Sequence, residues 1–177
     1  ALQRLAVVLG TFAIMATGLT TVNRVDAVGP FGESIAAELP TDNPANWTPN
    51  VLDGKVNTIW QVGDTVIIGG AFTQVADAVS NGGAVYSRTN IAAFDAATGL
   101  IDPDFAPTLS GPVEVVTAAA DGTSIYVGGQ FNTVNGTNRR KVARLSLADG
   151  SLVTSFNAGG VNGTVRDLRL VSGTIYM

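Results

Sequence analysis

Residues Ser124–Val134 read Ser-Ile-Tyr-Val-Gly-Gly-Gln-Phe-Asn-Thr-Val, and residues Thr65–Val75 read Thr-Val-Ile-Ile-Gly-Gly-Ala-Phe-Thr-Gln-Val. In both, an apolar run ends in paired glycines, followed by Phe and then Val. This Gly-Gly-x-Phe-x-x-Val core recurs at a spacing of 59 residues. Self-similarity of this kind is the signature of a repeat architecture. The flanks repeat too. Gly54–Ile59 precedes the first core and Gly111–Val116 the second, while Ile91–Asp95 matches Val142–Ser146 and Thr98–Phe105 matches Asp149–Phe156 at a spacing of 51. The fall from 59 to 51 marks an eight-residue insertion in the first copy, within Ala76–Thr89. Its Ser80-Asn81-Gly82-Gly83 has loop composition. A third copy opens at Gly163–Leu168 and runs to Ile175-Tyr176.

Each copy carries four strand signals. In the second they are Val113–Ala118, Ile125–Phe131, Lys141–Leu147 and the short Leu152–Phe156, separated by the turn dipeptides Asp121-Gly122, Asn135-Gly136 and Asp149-Gly150. No segment after residue 50 sustains a helical apolar period. Four short strands per roughly 50 residues is the content of a β-propeller blade. A β-sandwich gives no reason for one strand set to recur with the same landmarks. The expected fold is therefore all-β: a partial β-propeller of about two and a third four-stranded blades over residues 51–177, preceded by a signal helix and a linker. The blades fall at about 54–110, 111–162 and 163–177. Gly69-Gly70 and Gly128-Gly129 at strand ends predict a bulge or a close backbone approach. Phe72 and Phe131 are expected to pack between neighbouring blades, and Phe105 and Phe156 to close the bottom of each blade's core.

Upstream, residues 1–27 read as a secretion signal. Arg4 precedes the apolar run Leu5–Ala16, and Val25-Asp26-Ala27 offers a cleavage site. A retained membrane anchor is the competing reading, but Thr11, Thr17, Gly18, Thr20 and Thr21 dilute the uncharged stretch. With the signal cleaved, no stable membrane span is expected. Residues 28–50 form a linker holding Pro30, Pro40, Pro44 and Pro49, in which Ser34–Leu39 is expected to manage at most one helical turn. The chain stops inside a strand pattern, so further repeats or downstream domains of the same chain are expected. An exported, secreted or cell-surface location follows from the signal.

Composition narrows the function classes. The 177 residues contain no Cys and no His, and 10 basic against 14 acidic residues leave a net charge of −4. Disulfides, thiolate metal sites, cysteine nucleophiles and Ser-His-Asp triads are excluded. An acidic chain lacks the basic footprint of a nucleic-acid binder.

The pattern Tyr126–Gly136, then Ala143-Arg144-Leu145, then Asp149–Phe156 resembles the bacterial delta-60 type β-propeller repeat. The first copy departs from it: Ala76-Asp77 stands in place of Asn-Gly, and Ala92-Ala93-Phe94 in place of Ala-Arg-Leu. The resemblance covers about Val51–Met177. It implies an exported, often multidomain bacterial protein with a propeller, and it brings no established catalytic residues that could be carried over.

Candidate sites are few. Arg139-Arg140-Lys141, with Arg144 nearby, is the basic cluster that suits an anionic glycan or phosphate, against the reading of a solvated turn. Trp47, in the linker, is the freer candidate for stacking on a sugar, whereas Trp60 is expected in the core. Asp102 and Asp104 flank Pro103 and read as a turn, because two carboxylates fall short of the roughly six or more oxygens that Ca²⁺ takes. Asn46, Asn135 and Asn162 match the glycosylation pattern, the latter two within repeat turns. The radical-copper oxidases built on propellers need Cys and His, which are missing here. No catalytic residue, metal ligand or cofactor site is therefore assigned. The expected function is a non-catalytic extracellular scaffold that binds protein or cell-wall glycan through blade loops, with Ala76–Thr89 as the prime loop. The alternatives are an oxidase or glycan lyase whose catalytic groups lie in later blades, and a structural spacer for an attached domain.

Overall fold

The structure, a computed structural model, describes residues 27–28, 34–35, 46–159 and 161–177. The expected signal helix therefore lies almost wholly outside the described residues. Two pieces of its surroundings are visible: β1 (Ala27–Val28) pairs antiparallel with β2 (Ser34–Ile35). Ser34 and Ile35 are thus extended and do not begin a helical turn.

The repeat region starts at β3 (Asn50–Val51). Strands β4 (Lys55–Val62) and β5 (Thr65–Ala71) form a long hairpin. A shorter hairpin, β6 (Gln74–Ala76) and β7 (Val85–Ser87), brackets a 3-10 turn at Val79–Asn81, and β8 (Ile91–Asp95) pairs back onto β5. The second copy repeats this order with β9 (Val113–Ala118), β10 (Ser124–Gly129), β11 (Thr133–Val134), β12 (Thr137–Asn138) and β13 (Val142–Ser146). The third contributes β14 (Arg169–Val171) and β15 (Thr174–Tyr176). The two complete blades are the antiparallel sheets β4-β5-β8 and β9-β10-β13.

Two expectations need correction. The fourth strand of each blade shrinks to a single bridge, Ile101 to Phe94 and Leu152 to Leu145. In the first blade Asp102 stops it at once: its Oδ1 accepts the N–H groups of Asp104 (2.9 Å) and Phe105 (3.3 Å) and bends the chain away. Each blade also carries an extra small sheet around its second connection. There β3 pairs with β6, as Leu109 does with β11. Runs of two or three residues are too short to declare a period.

The paired glycines do both things expected of them. In the β9–β10 ladder the register shifts between Gly128 and Gly129, so Glu114 has no partner; in the β4–β5 ladder the shift spans Val56 to Thr58 and leaves Asn57 out. The bulge thus recurs opposite the glycine pair. A Cβ on Gly69 would lie 2.6 Å from Val113 Cγ1, and one on Gly128 would lie 2.6 Å from Val165 Cγ1. The first glycine of each pair is therefore where the next blade's lead strand presses in. The second, Gly70 or Gly129, lies against the backbone of its own blade's first strand, at Lys55 or Pro112.

The core follows the same logic. Ile67, Ile91, Ala93 and Phe105 from the first copy meet Val127, Phe131, Val134, Ala143 and Leu145 from the second in one buried layer. A second layer joins Tyr126, Val142 and the half-buried Phe156 to Val165 and Leu168 of the third copy, with Phe156 edge-on to Tyr126 at 4.9 Å. Ile68, Phe72, Val75, Ala92, Phe94 and Ile101 form a third cluster on the other face of the first blade. These six occupy the positions that Val127, Phe131, Val134, Ala143, Leu145 and Leu152 hold in the second blade. Phe131 sits between blades as expected, but Phe72 packs in the cluster of its own blade, and Phe105 belongs to the layer between blades and not to a separate blade bottom. Alternation along β5 and β10 feeds successive side chains to opposite layers, the pattern of a strand buried on both faces.

Candidate functional site

Two surfaces stand out: the rim formed by the second connection of each blade, and a groove lined by the first strands.

On the rim, Val75 pairs with Tyr86 and Val134 with Thr137. These registers place the insertion at residues 77–84, between β6 and β7. It is anchored at its base. Asp77 is only 3% exposed; its carboxylate accepts the Ile101 N–H at 2.8 Å and the Tyr86 hydroxyl at 3.2 Å. Burial raises the pKa of that phenol, and the adjacent carboxylate raises it further. Asn81 Nδ2 donates to the carbonyls of Thr98 (2.7 Å) and Trp47 (3.2 Å). Above these anchors the tip is open: Val79 is 88% exposed and Val85 60%.

Trp47 is half-buried, packed on Gly99, where an added Cβ would lie 2.2 Å from Trp47 O and 2.7 Å from its ring Cε3. In the second blade Pro107 lies over Gly150 in the same way. Trp47 thus fills a packing position of the repeat. Trp60, expected in the core, is 42% exposed, and its neighbour Ile59 is 64% exposed. Both lie on β4, an edge strand of its sheet, where strand alternation points them to opposite faces.

The basic cluster divides. Arg139 Nη1 donates to Asn138 O at 2.9 Å, and Lys141 Nζ donates to Gln130 O at 2.8 Å. Arg144 pairs with Asp121 at 2.5 Å, bonds Ser124 Oγ at 2.8 Å and lies over the Tyr126 ring. Arg140 is the exposed member of the run. Desolvation raises the Asp121 carboxyl, but the Thr123 and Ser124 hydrogen bonds and Arg144 outweigh it, and the pKa falls to about 2. Arg139 has a counterpart that the sequence reading missed. Arg88, at the 51-residue spacing, donates to Ser87 O at 2.9 Å as Arg139 does to Asn138 O. Arg88 is buried, reaches the carbonyls of Asp102 and Pro103 (3.1 and 3.0 Å) and lies over Tyr86. Among the described residues the buried Nε of each arginine makes no hydrogen bond. Extending the 51-residue match three positions back from Ile91 would have found the pair.

The groove has a volume of about 560 Å³ and is lined by β4, β9 and the approach to β14. The ladders align its wall. Trp60 faces Ile67, Thr117 faces Tyr126 and Arg169 faces Tyr176, so Trp60, Thr117 and Arg169 are equivalent positions on three successive first strands. Asp167 and Arg169 form an exposed pair at 3.3 Å. A shallower hollow of about 390 Å³ lies over Asp64, Asp95, Phe94 and Asp102. The Asp102 carboxylate there is committed to its turn, and among the described residues no group of three or more metal-ligating side chains gathers. No helix among the described residues is long and apolar enough to cross a membrane.

Residues 120–156 match the sequence model of a family described as a domain of unknown function (DUF5122) beta-propeller. The match runs from the turn before β10 to Phe156. No curated protein and no solved structure matches the chain. The chain carries a β-propeller repeat, and its antiparallel blades are those of a β-propeller.

Proposed function

We propose that the chain is a non-catalytic interaction module of an exported protein, that its repeats are of the delta-60 type, and that it holds a protein partner on the rim of its blades. The observation that carries this reading is the insertion at 77–84: a base fixed by Asp77 and Asn81 beneath an aliphatic tip, with Val79 88% exposed. Extra residues within a repeat fall on one face and are often the binding face. A loop already held in place loses little conformational freedom on binding. Its tip offers methyl groups and no aromatic ring, which suits a protein surface better than a sugar.

The test replaces residues 76–85 with Asn-Gly, the turn that the second blade uses at Asn135-Gly136. A photo-crosslinker at position 79, in protein displayed at the cell surface, is expected to trap a discrete partner. The shortened variant is expected to fold and to lose that partner's binding. A correctly folded short-turn variant with unchanged partner binding overturns the loop assignment.

A further inference from the structure

The geometry points to a second binding site, in the groove between the first strands, that takes a neutral sugar ring of a glycan. The aromatic element is Trp60, 42% exposed on β4 at a position that is Thr117 on β9 and Arg169 on the third copy. Trp60 sets a large aromatic side chain on the wall of a groove of about 560 Å³. Such a ring is the feature that stacks on the C–H face of a pyranose. Groove volume falls within the roughly 300–1,000 Å³ of small-molecule sites.

The polar wall decides the ligand's charge. The groove's charged lining is Asp167 and Arg169, one of each sign, paired at 3.3 Å and both well exposed. Their charges cancel, so a carboxylate, phosphate or amine gains no net attraction. Together they present a carboxylate acceptor and a planar multiple donor, the pairing that satisfies vicinal hydroxyls, each of which donates and accepts. An apolar ring face and a balanced donor–acceptor pair lining one groove match a polyhydroxylated neutral ring. This site is independent of the rim: Trp60 lies on β4, Arg169 on β14 and Asp167 just before it, the insertion on the second connection.

Trp47 and Trp60 are the chain's two tryptophans, so a Trp47→Phe variant reports on Trp60 alone. Its emission is to be titrated with cellohexaose, maltohexaose and, as the charged control, hexagalacturonate. A saturable change with at least one neutral hexasaccharide, at least tenfold tighter than hexagalacturonate, is expected. Calorimetry on the otherwise native chain is expected to show at least tenfold weaker binding for Trp60→Ala, partial rescue by Trp60→Tyr, and severalfold loss for Asp167→Asn. Circular dichroism checks the fold of each variant. No saturable response to either neutral hexasaccharide, equal binding of hexagalacturonate, or undiminished binding by folded Trp60→Ala overturns the proposal.

Discussion

The two complete blades share a backbone and differ in the side chains that hold it. Gly70 N–H donates to Asn90 O in the first and Gly129 N–H to Lys141 O in the second, while Asn90 and Lys141 return N–H bonds to Phe72 and Phe131. Both residues sit at positive φ, 69° and 67°. Asn tolerates that conformation and Lys does so at a cost. The turn after β5 is capped by Asp53, which takes the N–H groups of Thr73 and Gln74; in the second blade Ser110 Oγ takes those of Asn132 and Thr133. The first-blade Asn81 links the lead-in segment to the turn after β8 through Trp47 O and Thr98 O. Asn135 makes the corresponding link with Thr108 N–H and Gly150 O. What repeats is a set of backbone demands, and any side chain with the right donor or acceptor meets them.

The largest difference to test lies in the apolar layers. Phe131 is fully buried in a layer built from both blades, whereas Phe72, at the equivalent position, is buried in a cluster whose described members come from its own blade and lead-in strand. Phe131→Ala is expected to cost about 3–5 kcal/mol, the range for a fully buried Phe, and Phe72→Ala less. Urea unfolding of the two variants measures both. Equal losses would mean that the first blade's outer cluster is as firmly packed as the layer between blades.

Much of this architecture was legible. Gly-Gly-x-Phe-x-x-Val located the bulge, the point of blade contact and Phe131 because each follows from steric facts about glycine and a large ring at fixed strand positions. The rest depended on tertiary placement. Trp60 and Thr117 hold equivalent positions on edge strands, yet Trp60 is 42% exposed and Thr117 buried, a difference set by what packs over each face and not by any local period. Asn81 and Asn135 do one job from positions that no constant spacing relates, since the insertion separates them. The basic run Arg139–Lys141 read as a unit because charge is visible in sequence; only the structure separates the hydrogen-bonded Arg139 and Lys141 from the exposed Arg140. Composition named Trp47 and Trp60 as the aromatic candidates, and in the structure Trp47 is the half-buried one, packed on Gly99, while Trp60 is 42% exposed.

The contact between blades offers a narrower test. Gly69→Ala sets a methyl 2.6 Å from Val113 Cγ1, and Gly128→Ala sets one 2.6 Å from Val165 Cγ1. Overpacking of this kind typically costs about 1–3 kcal/mol. Val113 is fully buried on β9 in the layer between the two complete blades, while Val165 lies outside any strand, ahead of β14. Gly69→Ala is therefore expected to destabilise more than Gly128→Ala. In a double-mutant cycle Val113→Ala is expected to recover part of the Gly69→Ala loss, with a coupling of about 0.5–2 kcal/mol. Additive losses would show that the glycine is required for its own blade's bulge and not for the neighbour's approach.

The smallest effect separates the blades by acid. In the first, Asp53 and Asp95 have lowered pKa values, led by hydrogen bonds from Thr73 and Thr98 respectively. In the second, Asp149 is lowered, led by the Ser151 N–H, and Asp121 reaches about 2. A carboxyl whose pKa is depressed by folding contributes stability above its unfolded value of roughly 4, and that contribution is lost as pH falls toward the folded value. Stability is thus expected to decline between about pH 4 and 2. Asp53→Ser installs the cap that the second blade already uses at Ser110. It is expected to keep the turn while removing one titrating group, so the acid slope flattens with little change at pH 7. Asp121→Asn flattens the slope too, but it leaves Arg144 without its ion pair and so also lowers stability at neutral pH, by an amount that falls with added salt. Urea midpoints at pH 7 and pH 3, at two salt concentrations, separate these cases. If Asp53→Ser leaves the slope unchanged, the two caps are not equivalent, and the backbone correspondence between the blades fails at that turn.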